Sequence, residues 1–292
     1  MTATPARDRV RRLEADQVAR TTALLERDFD RPPQVSRAGS PALPNAVLLD
    51  ALDNGEHHRF LLWPGDEPVA LLFASGTGTL VPAGDPAAVP ALAEPAERIG
   101  WRVLIGDARI SQGLLDALPG GVFRRRIRAR EQRFMAYEAG EELPPGDAPE
   151  GFRHARARDL EPLVDFACRL HVEDLMGPPI ARTSRGGVRA RMQETIDRGT
   201  TFVVERDGVA VAKADLSLRS RRRGAQIAGV YVDAAVRGQG IATGLIRSLV
   251  RMLTAEGIPS VSLHVRADNA PAIAAYARAG MSDRGSWVLA LR

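Results

Sequence analysis

The segment VYVDAAVRGQGIATGLIRSL, residues 230–249, restricts the possible folds of this chain more strongly than any other stretch. Its apolar pattern predicts a strand, a glycine-containing turn and an amphipathic helix. Glycines let a backbone approach a ligand closely, and the N–H groups that open a helix need an acceptor. Because the helix start is also its positive end, we interpret the turn as a site for an anion such as a diphosphate. A turn that uses glycine only for tight packing is the alternative.

Length and composition indicate a globular protein of about two domains. The chain has 292 residues, of which 45% are hydrophobic and 26% are charged. The formal net charge is only +4, and Lys213 is the single lysine, so the positive charge is almost wholly arginine. The arginine runs at 124–130 and 219–223 lack the interleaved aromatic residues that single-stranded nucleic acid would favour. We interpret both runs as solvated strand ends and loops and expect no nucleic-acid partner.

The sequence carries no sign of secretion or membrane insertion. Its N-terminus becomes charged at once, and its apolar runs are shorter than the roughly 20 residues that span a bilayer. Cys168 is the single cysteine, which excludes an intrachain disulfide. We expect a cytoplasmic protein with no membrane association and no metal ion.

An acidic stretch rich in proline and glycine, EAGEELPPGDAPEG at 138–151, divides the chain. We predict a first domain over 1–138, a linker over 139–150 and a second domain over 151–292. In the second domain the patterns predict a strand, two helices, three strands, a helix, a strand, a helix and a final strand. This order indicates an α/β fold in which a mixed sheet carries helices on its faces.

The first half has a comparable alternation of elements. Residues 8–29 predict one helix, residues 45–55 a second, and residues 59–76 a hairpin. Helix, strand, short helix and strand patterns follow as far as residue 138. Because this order echoes the second half, we interpret the first domain as a diverged internal duplicate.

At the glycine turn the sequence resembles the GCN5-related N-acetyltransferase (GNAT) superfamily. The pyrophosphate motif of that family is Arg/Gln-x-x-Gly-x-Gly/Ala, which Arg237, Gly240 and Ala242 match in register. The downstream segment VSLHVRADNAPAIAAYARAGM resembles the second family signature, with Asn269 and Tyr276 at its polar positions. The resemblance covers about residues 151–292. It implies a GNAT fold there, preceded by a degenerate GNAT-like domain.

The resemblance also implies that acetyl-CoA is the cosubstrate. The main-chain groups of Val230 and Val232 would bond its pantetheine arm, and the turn would hold its diphosphate. The predicted cofactor-binding residues are Val230, Tyr231, Val232, Arg237, Gly238, Gln239, Gly240, Ile241, Ala242 and Asn269.

Tyr276 is the predicted general acid. Seven helical residues separate it from Asn269, a rise of about 10.5 Å that returns to within about 20° of the same helix face. A phenol has a pKa near 10 and is therefore a proton donor at neutral pH. In the family, such a tyrosine protonates the leaving thiolate. A tyrosine packed in an apolar helix interface is the alternative.

The sequence leaves the general base open. An amine acceptor has to lose a proton, and many family members carry a glutamate on the strand before the cofactor turn, but AQIAGVYV has none. Asp215 in the adjoining strand and Glu173 or Asp174 in the segment HVEDLMGPP are the candidates. A solvated carboxylate is the alternative for each, and His171 is interpreted as structural.

We therefore predict an acetyl-CoA-dependent N-acetyltransferase (class EC 2.3.1) in which a primary amine attacks the thioester directly in a ternary complex. The acceptor is a small molecule or a protein amine. A longer acyl-CoA and a non-catalytic, CoA-binding regulatory module are the alternatives. Where a duplicate would need its phosphate turn, the first half has TLVPAGDPAAV with acidic Asp85, which predicts one acetyl-CoA per chain. A homodimer is left open.

Overall fold

The computed structural model describes residues 9–27, 43–118, 127–173 and 178–292. It divides into two compact units, Met1–Phe134 with Arg284–Arg292 and Met135–Asp283. Both units combine helices with a sheet, which confirms the predicted α/β class. The C-terminal residues, which the sequence assigned to the second domain, group with the first unit. Among the described residues, no helix is both long enough and apolar enough to cross a membrane.

Over its described residues, the first unit contains two pairs of helices and an extended sheet. Its elements are β1 (Arg11–Arg12), α1 (Val18–Glu26), α2 (Ala46–Asp53), β2 (Phe60–Trp63), β3 (Ala70–Ala74), β4 (Thr79–Gly84), α3 (Val89–Ile99), β5 (Val103–Asp107), α4 (Ala108–Ala117) and the start of β6 (Arg128–Glu138). The C-terminal strand β12 (Ser282–Leu291) pairs antiparallel with β5. The predicted hairpin is confirmed as β2 and β3.

The predicted helix over residues 8–29 is wrong in its first half. Arg11–Arg12 form a short strand on the edge of β2, and the helix begins only at Val18. The N–H of Leu13 donates to the carbonyl of Phe60 at 3.1 Å, and the Leu13 side chain is buried in the core beside α1 and α2. Strand pairing and burial of Leu13 therefore outweigh the local helical pattern.

The second unit follows the predicted order of elements as far as its last helix, and the predicted final strand is β12, most of which groups with the first unit. The elements of the second unit are β7 (Phe152–His154), α5 (Leu160–Glu173), α6 (Arg185–Asp197), β8 (Thr201–Arg206), β9 (Val209–Ser220), β10 (Gly224–Val232), α7 (Ile241–Ala255), β11 (Ser260–Arg266) and α8 (Ala270–Arg278). The strand order is β11-β10-β9-β8-β7, and β10 and β11 run parallel while the other pairs are antiparallel. Positive φ angles at Asp207 and Gly208 form the predicted hairpin turn.

The helices of the second unit cover both faces of its sheet. One apolar cluster joins α7 and α8 to the sheet through residues such as Leu245, Ile227 and Leu263. The other joins α5 and α6 to the opposite face, with Phe166 and Val203 among its members. The ends of β10 and β11 therefore belong to a sheet that is packed by helices on both faces, and α7 is one of these helices.

Candidate active site

The candidate site lies where two parallel strands of the second unit separate. β10 and β11 are paired from Ala225–Val261 to Ile227–Leu263, and the residues that follow on both strands line a cavity. The end of a parallel pairing leaves backbone N–H and C=O groups facing the gap, and these groups need partners. An extended ligand in the gap could supply them.

A bulge in β10 causes the separation. Between Ala228 and Tyr231, β10 advances three residues while its partner β9 advances only two, from Asp215 to Lys213. Gly229 lies in this bulge at a φ of +57°, a left-handed conformation that favours glycine. The extra residue bends the strand, as β-bulges beside active sites commonly do.

The gap opens into a cavity of about 790 Å³. Residues 228–232 of β10 and 264–266 of β11 form two walls, and the glycine turn, α7, α8 and the end of α5 complete the lining. This volume lies in the range of small-molecule and cofactor sites, roughly 300–1,000 Å³.

The glycine turn presents an open backbone surface to the cavity. Gly238 and Gly240 both have a φ of +77°, and a Cβ atom at either position would meet nothing within 4 Å. Gly240 is the N-cap of α7 and has no side chain to accept the first N–H groups of that helix. At the start of α8, by contrast, the Asn269 side chain accepts a hydrogen bond from the N–H of Ala272. The start of α7 thus suits an anion, as the diphosphate of coenzyme A requires.

Arg237 fixes the turn to its surroundings. Its Nε donates to the carbonyl of Val232 at 3.0 Å, and a terminal nitrogen donates to Glu173 Oε2 at 2.9 Å. The guanidinium also lies 5.3 Å from the centre of the Tyr231 ring. The side chain thus joins the turn to β10 and to the last residue of α5.

Glu173 lies at the rim of the cavity and is engaged on both carboxylate oxygens. The Tyr231 hydroxyl donates to Oε1 at 3.2 Å, and Arg237 binds Oε2. Arg266 donates to the main-chain carbonyl of Glu173. Burial raises the pKa of Tyr231, and the nearby Glu173 charge adds to this shift while Arg169 opposes it. The phenol therefore acts as a donor to Glu173 at neutral pH.

Asp215 lies beneath the bulge, in an ion pair with the buried Lys213. The Thr201 hydroxyl donates to its other carboxylate oxygen at 2.8 Å. A Cβ atom at Gly229 would come within 2.5 Å of Asp215 Oδ2, so only glycine leaves room for the carboxylate. Glu173 lines the cavity, whereas Asp215 is not among the described residues that line it.

Asn269 and Tyr276 are brought to the cavity by α8. Asn269 caps the helix and lines the cavity at its start, and Tyr276, 6% exposed, lines it two turns later. The Thr243 hydroxyl donates to the carbonyl of Ala275 at 3.1 Å, which ties α8 to the first turn of α7. Tyr276 therefore has a fixed position relative to the glycine turn.

Most of the other predicted cofactor residues also line the cavity, namely Val230, Tyr231, Val232, Gly238, Gly240, Ile241 and Ala242. The side chain of Gln239 instead accepts a hydrogen bond from Arg206 at 2.5 Å and lies outside the lining. The alternative base Asp174 lies outside the described residues. Within the described ranges, no group of three or more His, Cys, Asp or Glu side chains could hold a metal ion.

His264 lines the cavity, and the sequence interpretation missed it. It lies just beyond the last paired residue of β11, and its Nε2 lies 3.3 Å from the Gln226 amide nitrogen. Burial lowers the pKa of His264 to about 3. A usable signal was the alternation of Ser262, His264 and Arg266 with apolar residues, because a central strand between two helical layers has little reason to carry polar side chains.

A mixed sheet, a gap between two parallel strands and an uncapped, glycine-opened helix are the features expected of the fold that the sequence resembles. Residues 171–281 match the family model described as the acetyltransferase (GNAT) family, so this region is similar to that family. The resemblance seen in the sequence is thereby confirmed.

Two curated relatives, both named mycothiol acetyltransferase, resemble about half of the chain. The protein from Brachybacterium faecium is 30% identical over 152 residues, covering 49% of this chain and 45% of the relative. The protein from Clavibacter michiganensis is 33% identical over 143 residues, covering 48% and 44%. The chain thus matches less than half the length of either relative.

Solved structures resemble the fold along nearly the whole chain. A GCN5-related N-acetyltransferase from Sphaerobacter thermophilus covers 99% of this chain and 96% of its own, with a TM-score of 0.64 and 16% identity. A GNAT-family acetyltransferase from Colwellia psychrerythraea covers 97% and 98%, with a TM-score of 0.57 and 14% identity. These similarities concern the fold, including that of the N-terminal half.

Proposed function

We propose that the protein is an acetyl-CoA-dependent N-acetyltransferase that transfers an acetyl group to a primary amine by direct attack in a ternary complex. The observation that carries this proposal is a single cavity with the uncapped start of α7 at one part of its lining and Tyr276 at another. The first feature suits a diphosphate, and the second suits a leaving thiolate. The GNAT family match supports the same reaction class.

The bulge gives the site a way to stabilise the transition state. In the proposed complex the N–H groups around Gly229 and Val230 face the thioester carbonyl, and Val230 and Val232 bond the pantetheine arm. Negative charge grows on the carbonyl oxygen during attack, so fixed N–H donors lower the barrier. Tyr276 donates its proton to the sulfur as the C–S bond breaks.

Two of the candidate bases are already bound by other side chains. Glu173 is bound by Arg237 and Tyr231, and Asp215 by Lys213 and Thr201. Each carboxylate would have to leave these partners in order to accept a proton from an amine, and Asp215 is not among the described residues that line the cavity. We therefore assign Asp215 a structural role under the bulge, and Glu173 the role of orienting the rim and attracting a cationic acceptor.

For the acceptor we propose a small molecule with a primary amine. The two relatives named mycothiol acetyltransferase support this choice over a protein amine. The alternatives from the sequence, a longer acyl-CoA and a CoA-binding module without turnover, make different predictions in one assay. The cytoplasmic location and the homodimer stay predictions.

We further propose that only the second unit binds acetyl-CoA. In the first unit the Asp85 carboxylate accepts a hydrogen bond from the N–H of Ala87 at 2.8 Å, where a phosphate-binding turn would offer its N–H groups. A carboxylate at this position also repels a diphosphate. Calorimetric titration should give one acetyl-CoA per chain, and a stoichiometry near two would contradict the proposal.

Release of free thiol from acetyl-, propionyl- and butyryl-CoA tests the reaction. The amine panel should contain an amino sugar, alaninamide, spermidine and a lysine peptide. Amine-dependent release is expected, with acetyl-CoA the best donor, and Tyr276→Phe should lower kcat by about 10²-fold or more. Tyr137→Phe is the matched control, since Tyr137 donates to the carbonyl of Glu141 away from the cavity. Tight CoA binding without turnover of any amine would favour the regulatory module.

A further inference from the structure

The end of helix α5 is held against the strand that opens the cavity. The ring of Phe166 on α5 lies 5.0 Å from the ring of Tyr231 on β10, centre to centre. Seven residues later, the carboxylate of Glu173 accepts a hydrogen bond from the Tyr231 hydroxyl at 3.2 Å. Seven residues make about two turns of helix, so the last two turns of α5 lie across β10 beside the bulge.

Leu170 lies between these two contacts on the same face of the helix. It follows Phe166 by four residues and precedes Glu173 by three, which is the spacing of side chains that share one helix face. Leu170 is partly buried against the apolar cluster that contains Phe166 and Tyr231, and it also lines the cavity. Among the described residues of α5, Leu170 and Glu173 line the cavity, and Leu170 is the apolar one.

Small residues line the cavity where β10 bulges. Ala228 and Gly229 are both part of the lining. Ile227 belongs to the apolar cluster under α7 and α8, so the next residue, Ala228, projects to the opposite face of the sheet, on which α5 packs. Ala228 and Leu170 therefore belong to the same side of the cavity, one with a small and one with a large apolar side chain.

The proposed complex directs the acyl chain to this side of the cavity. A thioester carbon is trigonal, so its oxygen, its sulfur and its alkyl group point in three well-separated directions. In the proposed complex the oxygen faces the N–H groups around Gly229, and the sulfur lies beside Tyr276. Tyr276 belongs to the apolar cluster under α7 and α8. The alkyl group is thus left with the direction of the opposite face, toward Leu170.

We propose that Leu170 limits the length of the acyl group by closing this side of the cavity behind the acetyl methyl group. The inference deepens the proposed function and rests on it. An acetyl group ends where the Leu170 side chain begins, whereas a propionyl or butyryl chain has to displace that side chain. The contacts with Tyr231 hold α5 on both sides of Leu170, so the helix cannot move away without breaking them.

Shortening Leu170 tests the proposal through the ratio of two donors in the thiol-release assay. With the fastest amine of the panel, the wild type should prefer acetyl-CoA to butyryl-CoA by at least about 100-fold in kcat/KM, since one misfitting methylene is worth about 10–200-fold. Leu170→Ala should lower this ratio by at least about 10-fold, because the butyryl chain gains room. Leu170→Val should give an intermediate ratio. A general loss of structure would lower the turnover of both donors and leave their ratio unchanged.

Val172→Ala is the matched control. Val172 lies on the same helix two residues later, is 40% exposed and is not among the described residues that line the cavity. Its donor ratio should stay within about twofold of wild type. The milder Leu170→Val removes less of the packing against the cluster around Phe166, so it provides a donor ratio even where Leu170→Ala fails to fold.

The outcomes separate this inference from the proposed function. A donor ratio within about threefold of wild type in the folded Leu170 variants would overturn the role of Leu170 while the transferase assignment stands. A changed KM for the amine with an unchanged donor ratio does the same, since it assigns Leu170 to the acceptor part of the cavity. Equal use of butyryl-CoA and acetyl-CoA by the wild type contradicts both the role of Leu170 and the preference for acetyl-CoA. A wild-type protein that binds acetyl-CoA but acylates no amine overturns the inference together with the proposed function.

Discussion

The only lysine of the chain, Lys213, is buried and donates a hydrogen bond to Asp215 directly beneath the bulge glycine Gly229. Lys213 is 1% exposed and the Asp215 side chain 15%, so the pair is largely removed from water. A buried ion pair is costly to break because one partner is left charged and uncompensated. The pair therefore supports the strand segment that opens the cavity.

Replacing Lys213 alone should destabilise the protein strongly. Lys213→Met leaves the Asp215 carboxylate buried without its cation, at an expected cost of about 3–5 kcal/mol in the free energy of unfolding. The double variant Lys213→Met/Asp215→Leu should recover most of this loss, since it removes both charges. Urea unfolding of the two variants and the wild type measures the difference. Equal midpoints for the single variant and the wild type would refute the structural role of the pair.

Removing the Glu173 carboxylate should have a small effect on the chemical step. Glu173 and Arg237 are both about half exposed, so Glu173→Gln should change the free energy of unfolding by no more than about 1 kcal/mol. We expect kcat within about fivefold of wild type and a higher KM for a cationic amine, because the rim loses a negative charge. Steady-state kinetics with the amine varied provides the test. A kcat loss of about 10²-fold would contradict this prediction and would indicate that Glu173 accepts the proton of the amine.

The stability of the protein should fall on acidification, and His264 should contribute to that fall. Its pKa is about 3 in the folded chain and 6.5 as an isolated group, so between these values the unfolded state binds a proton that the folded state does not. The contribution is therefore fully present above pH 6.5 and is lost as the pH falls toward 3. His264→Gln should take up about one proton fewer on unfolding in this window. Unfolding at several pH values between 4.5 and 7.5 checks this, and parallel pH profiles for wild type and variant would exclude it.

The sequence predicted the second unit well because its signals are local. Alternating strand patterns, the Asp207-Gly208 turn and the glycines before α7 each act within a few residues, and all the predicted elements are present in order. In the first unit the pairing of Arg11–Arg12 with β2 joins residues about 50 positions apart, so a local helical pattern was misleading there. The grouping of 284–292 with the first unit is likewise a long-range property.

The sequence predicted those residues of the candidate site that belong to a local motif. It could not predict the contacts between residues of different elements. Gly240 and Tyr276, which line the cavity, were predicted through the motifs that carry the family resemblance. The engagement of Glu173 by Arg237 and of Asp215 by Lys213 depends on pairs from different elements, so the sequence offered two carboxylates as bases without revealing their partners. His264 went unnoticed because one histidine in an apolar strand resembles a core residue until the end of the strand pairing is known.

The central claim is that the N–H groups opening α7 bind the diphosphate of coenzyme A, and calorimetric titration of acetyl-CoA into Gly240→Asp tests it most directly. Gly257→Asp is the matched control, because Gly257 follows the other end of α7 with a φ of +82° and no atom within 4 Å of a Cβ. Both variants introduce a carboxylate at a position with a similar positive φ, but only Gly240→Asp places that carboxylate against the proposed diphosphate site. We predict one binding site per chain in the wild type and in Gly257→Asp, and a loss of affinity of at least about 100-fold in Gly240→Asp, which corresponds to about 2.7 kcal/mol. Unchanged affinity in a folded Gly240→Asp protein would contradict the account.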